Sequence, residues 1–599
     1  MLNTIIKNNV ANSQKLENCL DFTQSQNNFH TLLNKQDTLK LQPINLSRNQ
    51  ECSVHNNSVL PEHHIIQNNN IIQDSSLNNL IQKNYYSEKV INENPEIIEN
   101  GNNKDDKDLK NKEKEEVEEE VKEVSEFYLK KNTVIPLFKP IYNESAVFSV
   151  DSSKIEIIKQ PTDYYNKIKE QILQAKHRVV LTALYIGIDQ VDLVQTLHKA
   201  LSENKSLRVT ILFDCLRGTR TSHSGESSVT LVAPLVTAYP DRVEVALYHT
   251  PELTKPLKML LPQRFNEIIG LFHAKIVIGD DNLILAGANL STEYFVNRQD
   301  RYVFFGGATS LSDYFYDLAL TLTKISYQLA PHHTLIPSGP DPTTNPLQFR
   351  QTAFHALDTF LTNWYARTQP LRNNNKVKRS KLSKNTDTIV IPMLQMKQLH
   401  IEENERLMEI IMRIIDENSD YWKNIFITSG YLNFTTEFKN LLNEAHANVD
   451  ILCAAPQANS FYKNPGISGY IPAVYTYFER QVHDETSNKD LKVHEYIRPG
   501  WTYHAKGLWA SYKNEKTGEL LPNVTILGST NFGRRSMKRD VEAQVLLITD
   551  NKKLQKEIAK EIDNLLNYTV IVNNETFDKQ ERQIPLPVKV VTKLFQSMF

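Results

Sequence analysis

"FHAKIVIGDDNLILAGANL" runs from Phe272 to Leu290. It is an apolar, strand-like run, yet it opens on His273 and Lys275 and is punctuated by Asp280, Gly287 and Asn289. Side chains at i and i+2 share one face of a strand, so His273 and Lys275 point the same way. "GDDN" (279–282) is a turn sequence, which makes "LILAGAN" the antiparallel return strand of a hairpin. In that register residues 286–289 lie opposite 275–272. The small residues Ala286, Gly287 and Ala288 are then expected to leave space beside His273, with the Asn289 amide near the same point.

A variant of this stretch recurs. "YHAKGLWASY" contains His504 and Lys506, and "ILGSTNFGRRSMKRDVEAQ" follows it with Gly528, Ser529 and Asn531. A lone His-x-Lys means little in a long chain. Two of them, each followed by a strand ending in the same Gly and Asn pattern, ask for a shared chemical reason. The copies differ at one place: Ser511 stands where the first has Asp280.

Each motif closes a similar stretch of chain. "HRVVLTALYIG" (177–187) and "LRVTILFDCLRG" (207–218) read as buried strands, joined by the amphipathic helix "DLVQTLHKALSE". Later, "KNIFITSGYL" (423–432) and "ANVDILCAAP" (447–456) flank the helical "TTEFKNLLNEAH". Strand, helix, strand at this spacing predicts right-handed βαβ units. The expected architecture is α/β with two similar halves, 133–345 and 346–599.

Composition bounds the rest. The formal charge is −2, so no global basic field calls for nucleic acid. Cys19, Cys52, Cys215 and Cys453 lie far apart, which is neither a disulfide framework nor a zinc site and favours a reducing compartment. No apolar run approaches the roughly 18 residues of a membrane span, so the protein is expected to be soluble or to rest on a membrane surface. Residues 1–132 are polar and Asn-rich and include "KDDKDLKNKEKEEVEEEVKEV", a block too solvated to build a core. A disordered tail is expected there. Its start, "MLNTIIKNNVANSQKL", has two lysines and no acid and is compatible with an organelle presequence. "LRNNNKVKRSKLSKN" (371–385) carries six basic residues and no acid and reads as an exposed loop, either a solvated linker or a contact for anionic lipid.

The paired motifs resemble the H-x-K-x4-D signature of the phospholipase D superfamily, over roughly residues 135 to 599. The resemblance implies a duplicated α/β fold whose two histidines meet across a pseudo-twofold interface. It also implies phosphodiester transfer through a covalent phosphohistidine, with no metal and no cofactor. The residues suit that chemistry. One imidazole attacks phosphorus; the other protonates the leaving oxygen and deprotonates the acceptor. The complete motif marks His273 as the attacking residue. Lys275 and Lys506 hold the non-bridging oxygens, supported by Asn289, Ser529 and Asn531. Asp280 lies in the turn, away from the reacting end, and reads as a structural or orienting residue, so its replacement by Ser511 is tolerable. That replacement argues against typical phospholipases D.

Several longer segments narrow the resemblance. "FHAKIVIGDDNLILAGANLSTEYFVNRQDRY", "FDCLRGTR", "GYIPAVYTYFE" and "YHAKGLW…ILGSTNFGRRSMKRDVEAQ" together resemble eukaryotic phosphatidylglycerophosphate synthases. That family moves a phosphatidyl group from CDP-diacylglycerol to sn-glycerol 3-phosphate in mitochondria, at the first committed step towards cardiolipin. The acceptor is close to a dianion at neutral pH and needs fixed cations. Arg217, Arg220, Arg498, Arg534, Arg535 and Arg539 flank the motifs and are the candidates. Asp300 and Glu542 each lie eleven residues beyond their motif's Asn and are expected to orient the opposing histidine. Other readings are a cardiolipin or phosphatidylserine synthase, a nuclease resembling tyrosyl-DNA phosphodiesterase, and a non-catalytic membrane scaffold. The near-neutral charge and the lack of an aromatic basic stripe speak against the nuclease; two intact His-Lys pairs speak against the scaffold.

Overall fold

The computed structural model describes Leu129 and residues 133–261, 266–368, 387–486 and 491–598. Apart from Leu129, the expected disordered tail, its presequence-like start and the basic loop 371–385 lie outside the described residues.

The first strand, β1 (Phe148–Ser149), belongs to one sheet and the next, β2 (Ile155–Ile158), to another. Helix α1 (Pro161–Gln174) then leads into the expected βαβ unit: β3 (Arg178–Ala183), α2 (Val191–Glu203) and β4 (Arg208–Asp214). Helix α3 (Ser228–Ala238) and β5 (Val243–Tyr248) extend the parallel group. After the short α4 (Lys255–Leu260) comes the hairpin, β6 (Ile276–Gly279) and β7 (Asn282–Ala286). The two-residue β8 (Arg298–Gln299) precedes β9 (Tyr302–Phe305), helix α5 (Thr309–Lys324), β10 (Tyr327–Ala330) and β11 (Thr334–Pro337). The nine-stranded sheet has the order β11-β10-β5-β4-β3-β6-β7-β9-β2.

A long helix, α6 (Pro346–Thr368), precedes the second sheet. That sheet opens with β12 (Thr388–Met396), β13 (Ile401–Glu402) and helix α7 (Glu403–Glu417). The second expected βαβ unit follows as β14 (Trp422–Thr428), α8 (Thr436–Glu444) and β15 (Asn448–Ala454). Helix α9 (Ile471–Thr486), β16 (Leu491–Tyr496) and β17 (Thr502–Tyr503) lead to the long hairpin β18 (Gly507–Lys513) and β19 (Leu520–Gly528). Then come α10 (Arg534–Lys538), β20 (Glu542–Thr549), α11 (Lys552–Leu566), β21 (Thr569–Ile571) and the last helix, α12 (Leu586–Leu594). This ten-stranded sheet runs β1-β12-β20-β19-β18-β14-β15-β16-β21, with β13 beside β12.

The two-residue period of the strands sets the layers. In β3, Val180 enters a central core while Val179 and Leu181 pack on the opposite face; in β14, Phe426 enters that same core while Ile425 and Ile427 turn away. Buried residues of both sheets and of α5, α6 and α11 form the central core. Helices α1, α2 and α3 cover the outer face of the nine-stranded sheet, and α7 and α8 that of the ten-stranded one. The segment 134–149 also sits on the second sheet. Val134, Phe138 and Ile141 join its outer core and β1 pairs with β12, although they precede the first βαβ unit.

The hairpin keeps the expected register, Ile276 opposite Leu285 through Gly279 opposite Asn282, but its ladder stops at Ile276. Residues 272–275 do not face 286–289. Phe272 instead forms a parallel bridge with Val541 of the other sheet's chain, while Ala286 pairs with Tyr302. Gly287 therefore makes no space for His273: a Cβ there would collide with the Asp300 carboxylate.

Asp280 sits in the turn with φ 51°. Its carboxylate accepts from the amides of Lys176 (2.6 Å), His177 (2.8 Å) and Arg178 (3.0 Å), stapling the hairpin to the start of β3. In the second hairpin the turn comes later, at 514–519, so Ser511 lies inside β18 opposite Pro522, at a register shift. A carboxylate there would have no turn to staple, which accounts for its replacement. Arg301 makes the other long-range tie. Buried, it pairs with Glu561 of α11 through Nε and Nη2 (2.9 Å each), donates to the Ile526 carbonyl and stacks 3.8 Å from the Trp509 ring.

Asp280→Ala is expected to lower stability by about 1–2 kcal/mol at neutral pH, as loss of a helix cap does, while turnover per folded molecule is kept. Burial raises the Asp280 carboxyl, but those three amides outweigh it and hold the group below its ordinary value. Its stabilisation is present above the unfolded carboxyl pKa of ~3.9 and is lost as pH falls through the depressed folded value. Thermal melts of both proteins should converge in strong acid; an equal gap at all pH values would exclude this role.

Candidate active site

His273 and His504 are both buried, and each is held by the opposite sheet. The His273 amide donates to the Val541 carbonyl at 2.8 Å, and its Nδ1 lies 3.0 Å from both oxygens of Glu542, the next residue. The His504 amide donates to the Gln299 carbonyl at 2.8 Å, and its Nδ1 lies 2.7 Å from Asp300, again the next residue. Short parallel pairings make this possible: Phe272 with Val541, and β17 with β8. The carboxylates expected from sequence to orient the opposing histidines are thus placed to do so. An acceptor at Nδ1 fixes the imidazole proton there and leaves Nε2 for chemistry.

The carboxylates are themselves braced. Glu542 accepts from Ser536 at 2.8 Å and from the Ser529 hydroxyl; Asp300 accepts from the Arg301 amide at 2.8 Å. The Ser529 hydroxyl, expected at a substrate phosphate, donates to Glu542. The Asn289 amide donates to the Tyr294 hydroxyl (3.1 Å), which lies 3.5 Å from His504 Nε2, so Asn289 serves the His504 side. The buried Oδ1 of Asn531 has no hydrogen-bond partner, next to Phe532, which is held at φ 54°. Lys275 and Lys506 are buried and each donates to the carbonyl of its own histidine; Lys506 Nζ also lies 2.7 Å from His504 Nδ1.

Burial dominates the titration here. It pushes Lys275 down to about 7 and Lys506 down to about 8. It raises Asp300 to about 6, against the pull of Lys506. Glu542 ends at about 2: burial pushes it up, but His273, Lys275 and the Ser529 hydroxyl more than offset that. Burial lowers both imidazoles, but unequally. His273 is pulled back up by Glu542 and Asp540. His504 is pushed well below its ordinary value by burial, Lys506, Arg298 and His273. The sequence around them differs too: two residues before the bracing carboxylate stands Asp540, which raises His273, on one side and Arg298, which lowers His504, on the other.

The arginines separate into groups. Arg217 lies over the Tyr185 ring (4.3 Å), and Arg535 bonds Asp540 and the Glu267 carbonyl while bearing on Tyr431. Arg220 is paired with Glu267 at 2.9 Å. Arg534 donates to Thr436, and Arg539 to the Ile269 carbonyl. Arg498 is sandwiched by Trp501 and Tyr568, beside β16 and the edge strand β21. Sequence reasoning missed Arg298, which stacks 4.2 Å from Tyr294 and bears electrostatically on His504. It also missed Tyr294 and Tyr431, whose rings lie 5.2 and 6.3 Å from the His504 ring, and Tyr475, stacked on Tyr431. The available signal was "NRQDRY": three charged residues crowded between an apolar helix and an apolar strand. Among the described residues no group of three His, Cys, Asp or Glu side chains is placed to hold a metal ion. The arrangement offers paired imidazoles, each held at Nδ1 by a carboxylate, among buried cations. It can transfer a group carried on an anionic centre.

No family model matches the chain. A solved phosphatidylserine synthase from Haemophilus influenzae Rd KW20 shares its fold, at 19% identity and a TM-score of 0.55, covering 76% of this chain and 96% of that one. Curated relatives are much nearer in sequence. A probable CDP-diacylglycerol–glycerol-3-phosphate 3-phosphatidyltransferase from Dictyostelium discoideum is 36% identical, over 77% of this chain and 80% of the relative. The mitochondrial enzyme of that name from Gallus gallus is 35% identical over 77% and 86%, and that of Schizosaccharomyces pombe 33% identical over 78% and 99%. The chain belongs to the CDP-diacylglycerol–glycerol-3-phosphate 3-phosphatidyltransferase family.

Proposed function

We propose that this protein transfers a phosphatidyl group from CDP-diacylglycerol to sn-glycerol 3-phosphate, giving phosphatidylglycerophosphate and CMP. The reaction is that of the relatives' name, and vertebrate relatives are named mitochondrial, which places this enzyme in mitochondria. It works as a peripheral enzyme at a bilayer, because its lipid substrate lies there; no helix of the described residues is long and apolar enough to cross one. The two sheets with their helices are read as halves of a duplication, 133–345 and 346–599, with residues 134–149 lying over the second half. The reciprocal bracing of the histidines supports that reading.

The observation that carries the mechanism is the pair of buried imidazoles, each with Nδ1 on a carboxylate from the other sheet. His273 Nε2 attacks the phosphatidyl phosphorus. The bond from that phosphorus to the bridging oxygen breaks, CMP leaves with the electron pair, and a phosphatidyl-histidine remains. His504 then takes the proton of an acceptor hydroxyl, whose oxygen attacks phosphorus and expels His273. Lys275 and Lys506 balance charge on the non-bridging oxygens. Glu542, with Asp540 behind it, keeps His273 the more basic imidazole, suited to attack, and burial, Lys506 and Arg298 make His504 the more acidic, suited to shuttle protons. Arg298, Arg217 and Arg535, set among tyrosines, supply cations for the acceptor phosphate.

Purified protein given CDP-diacylglycerol should release CMP in step with added glycerol 3-phosphate. Release that ignores the acceptor would identify a hydrolase instead. His504→Ala should release about one equivalent of CMP and stall as an adduct on position 273, because CMP is a good leaving group while the incoming hydroxyl needs a base. His273→Ala should release none. Mass spectrometry of the trapped protein decides between them, and an adduct on position 504 would reverse the roles.

The pH profile follows from the lysines. Both are cations below their lowered values and lose charge as pH rises through about 7 to 8. Charged lysines bind phosphate, so kcat/KM for CDP-diacylglycerol should fall across that window, while kcat, reporting the complex in which bound phosphate restores their charge, should fall only at higher pH. Coincident profiles would remove the lysines from substrate binding.

A further inference from the structure

The carboxy-terminal helix is inside out. In α12, Leu586 is 73% exposed, Val590 51% and Leu594 72%. They lie at i, i+4 and i+8, one stripe of a helix. The inward side offers only the half-buried Val588 and the buried Thr592. Lys589 and Lys593, both exposed, flank the apolar stripe. An ordinary surface helix has the reverse arrangement.

This helix is not loosely attached. Before it, buried Arg582 forms a bidentate pair with Glu495, with Nη2 at 2.7 Å, and reaches Glu479 at 3.6 Å. After it, the Gln596 carbonyl accepts from Asn433 at 2.7 Å. The segment is pinned at both ends with its apolar face outward. It is pinned near the reacting groups: α12 packs on α9, which carries Tyr475, and residues 596–598 pack on α10, which carries Arg535. Arg535 also bonds the Glu267 carbonyl, and neighbouring Asn266 reaches the Lys258 carbonyl of α4. There Met259 is 79% and Leu260 81% exposed, beside Lys255 and Lys258. Two lysine-flanked apolar patches thus adjoin the elements around His504.

We propose that α12, with the tip of α4, is the surface by which this enzyme docks on an anionic bilayer, with Leu586, Val590 and Leu594 in the acyl boundary and the lysines at the headgroups. Apolar side chains on a helix lying in the interface, with cations reaching back to the phosphates, is the arrangement that binds such surfaces. The inference rests on the phosphatidyltransferase reading, since a donor carried on two acyl chains must be taken from a membrane. Charge complementarity selects a bilayer over a second copy of this face, which would bring lysines against lysines.

The test uses the full-length protein and the variant Leu586→Asp/Val590→Asp/Leu594→Asp, whose substituted side chains are already exposed. Co-sedimentation with phosphatidylcholine vesicles containing about a third phosphatidylglycerol should weaken at least tenfold in the variant. Turnover of vesicle-borne CDP-diacylglycerol should fall with it, while turnover of a dispersed dihexanoyl analogue should stay within about twofold of the parent. Lys589→Glu/Lys593→Glu should erase the preference for anionic over pure phosphatidylcholine vesicles. Vesicle binding unchanged in the triple variant overturns the proposal. So does a parent dimer that the triple variant makes monomeric without loss of vesicle binding, which would make the face a subunit contact. Failure of the parent to join the dihexanoyl analogue to glycerol 3-phosphate would count against the phosphatidyltransferase reading instead, a result separable from vesicle binding.

Discussion

Two backbone hydrogen bonds hold this site together: His273 N to Val541 O and His504 N to Gln299 O, both 2.8 Å. Each docks a histidine-bearing segment beside a segment from the other sheet in parallel register. Once that register is set, the following residue, Glu542 or Asp300, has no choice but to meet the imidazole. The side-chain geometry is thus a consequence of the backbone. The backbone in turn depends on the docking of two large sheets, fixed by the shared core and by buried Arg301, which is bonded to Glu561, Ile526 and Thr525 of the other sheet's chain. A buried ion pair of this kind adds little net stability, but removing one partner leaves an uncompensated buried charge, which is strongly destabilising.

Much of this was legible because local rules govern it. The period-2 pattern placed His273 and Lys275 together, the βαβ spacing located β3, β4, β14 and β15, and the turn residues set the hairpin register. Even the bracing carboxylates could be found, from their equal offsets after Asn289 and Asn531. What could not be read was where the hairpin ladder would stop. Residues 272–275 leave their own hairpin for Val541, and no local signal encodes pairing with a strand more than 260 positions away. The misplaced small residues follow from that. Arg298 was missed for a different reason: nothing marks a single arginine as buried until its tyrosine neighbours are known.

The two histidines are framed alike but not charged alike. Glu542 has Asp540 close by and Asp300 has Arg298, so the near-symmetric scaffold holds imidazoles of different basicity. Division of labour between like residues usually arises in this way, through neighbours that shift their proton affinities apart. Here Glu542 and Asp540 raise His273, while burial, Lys506 against His504 Nδ1, and Arg298 lower His504.

Gly287 carries a wider lesson about substitution. Its backbone does not lie in the left-handed region, so nothing in its own conformation demands glycine. The demand comes from the Asp300 carboxylate, which fills the space a methyl group would need. Position 287 is therefore closed to every other amino acid on behalf of a histidine 217 residues downstream. By sequence Gly287 belongs to the first motif, whereas the beneficiary of its small size is the second.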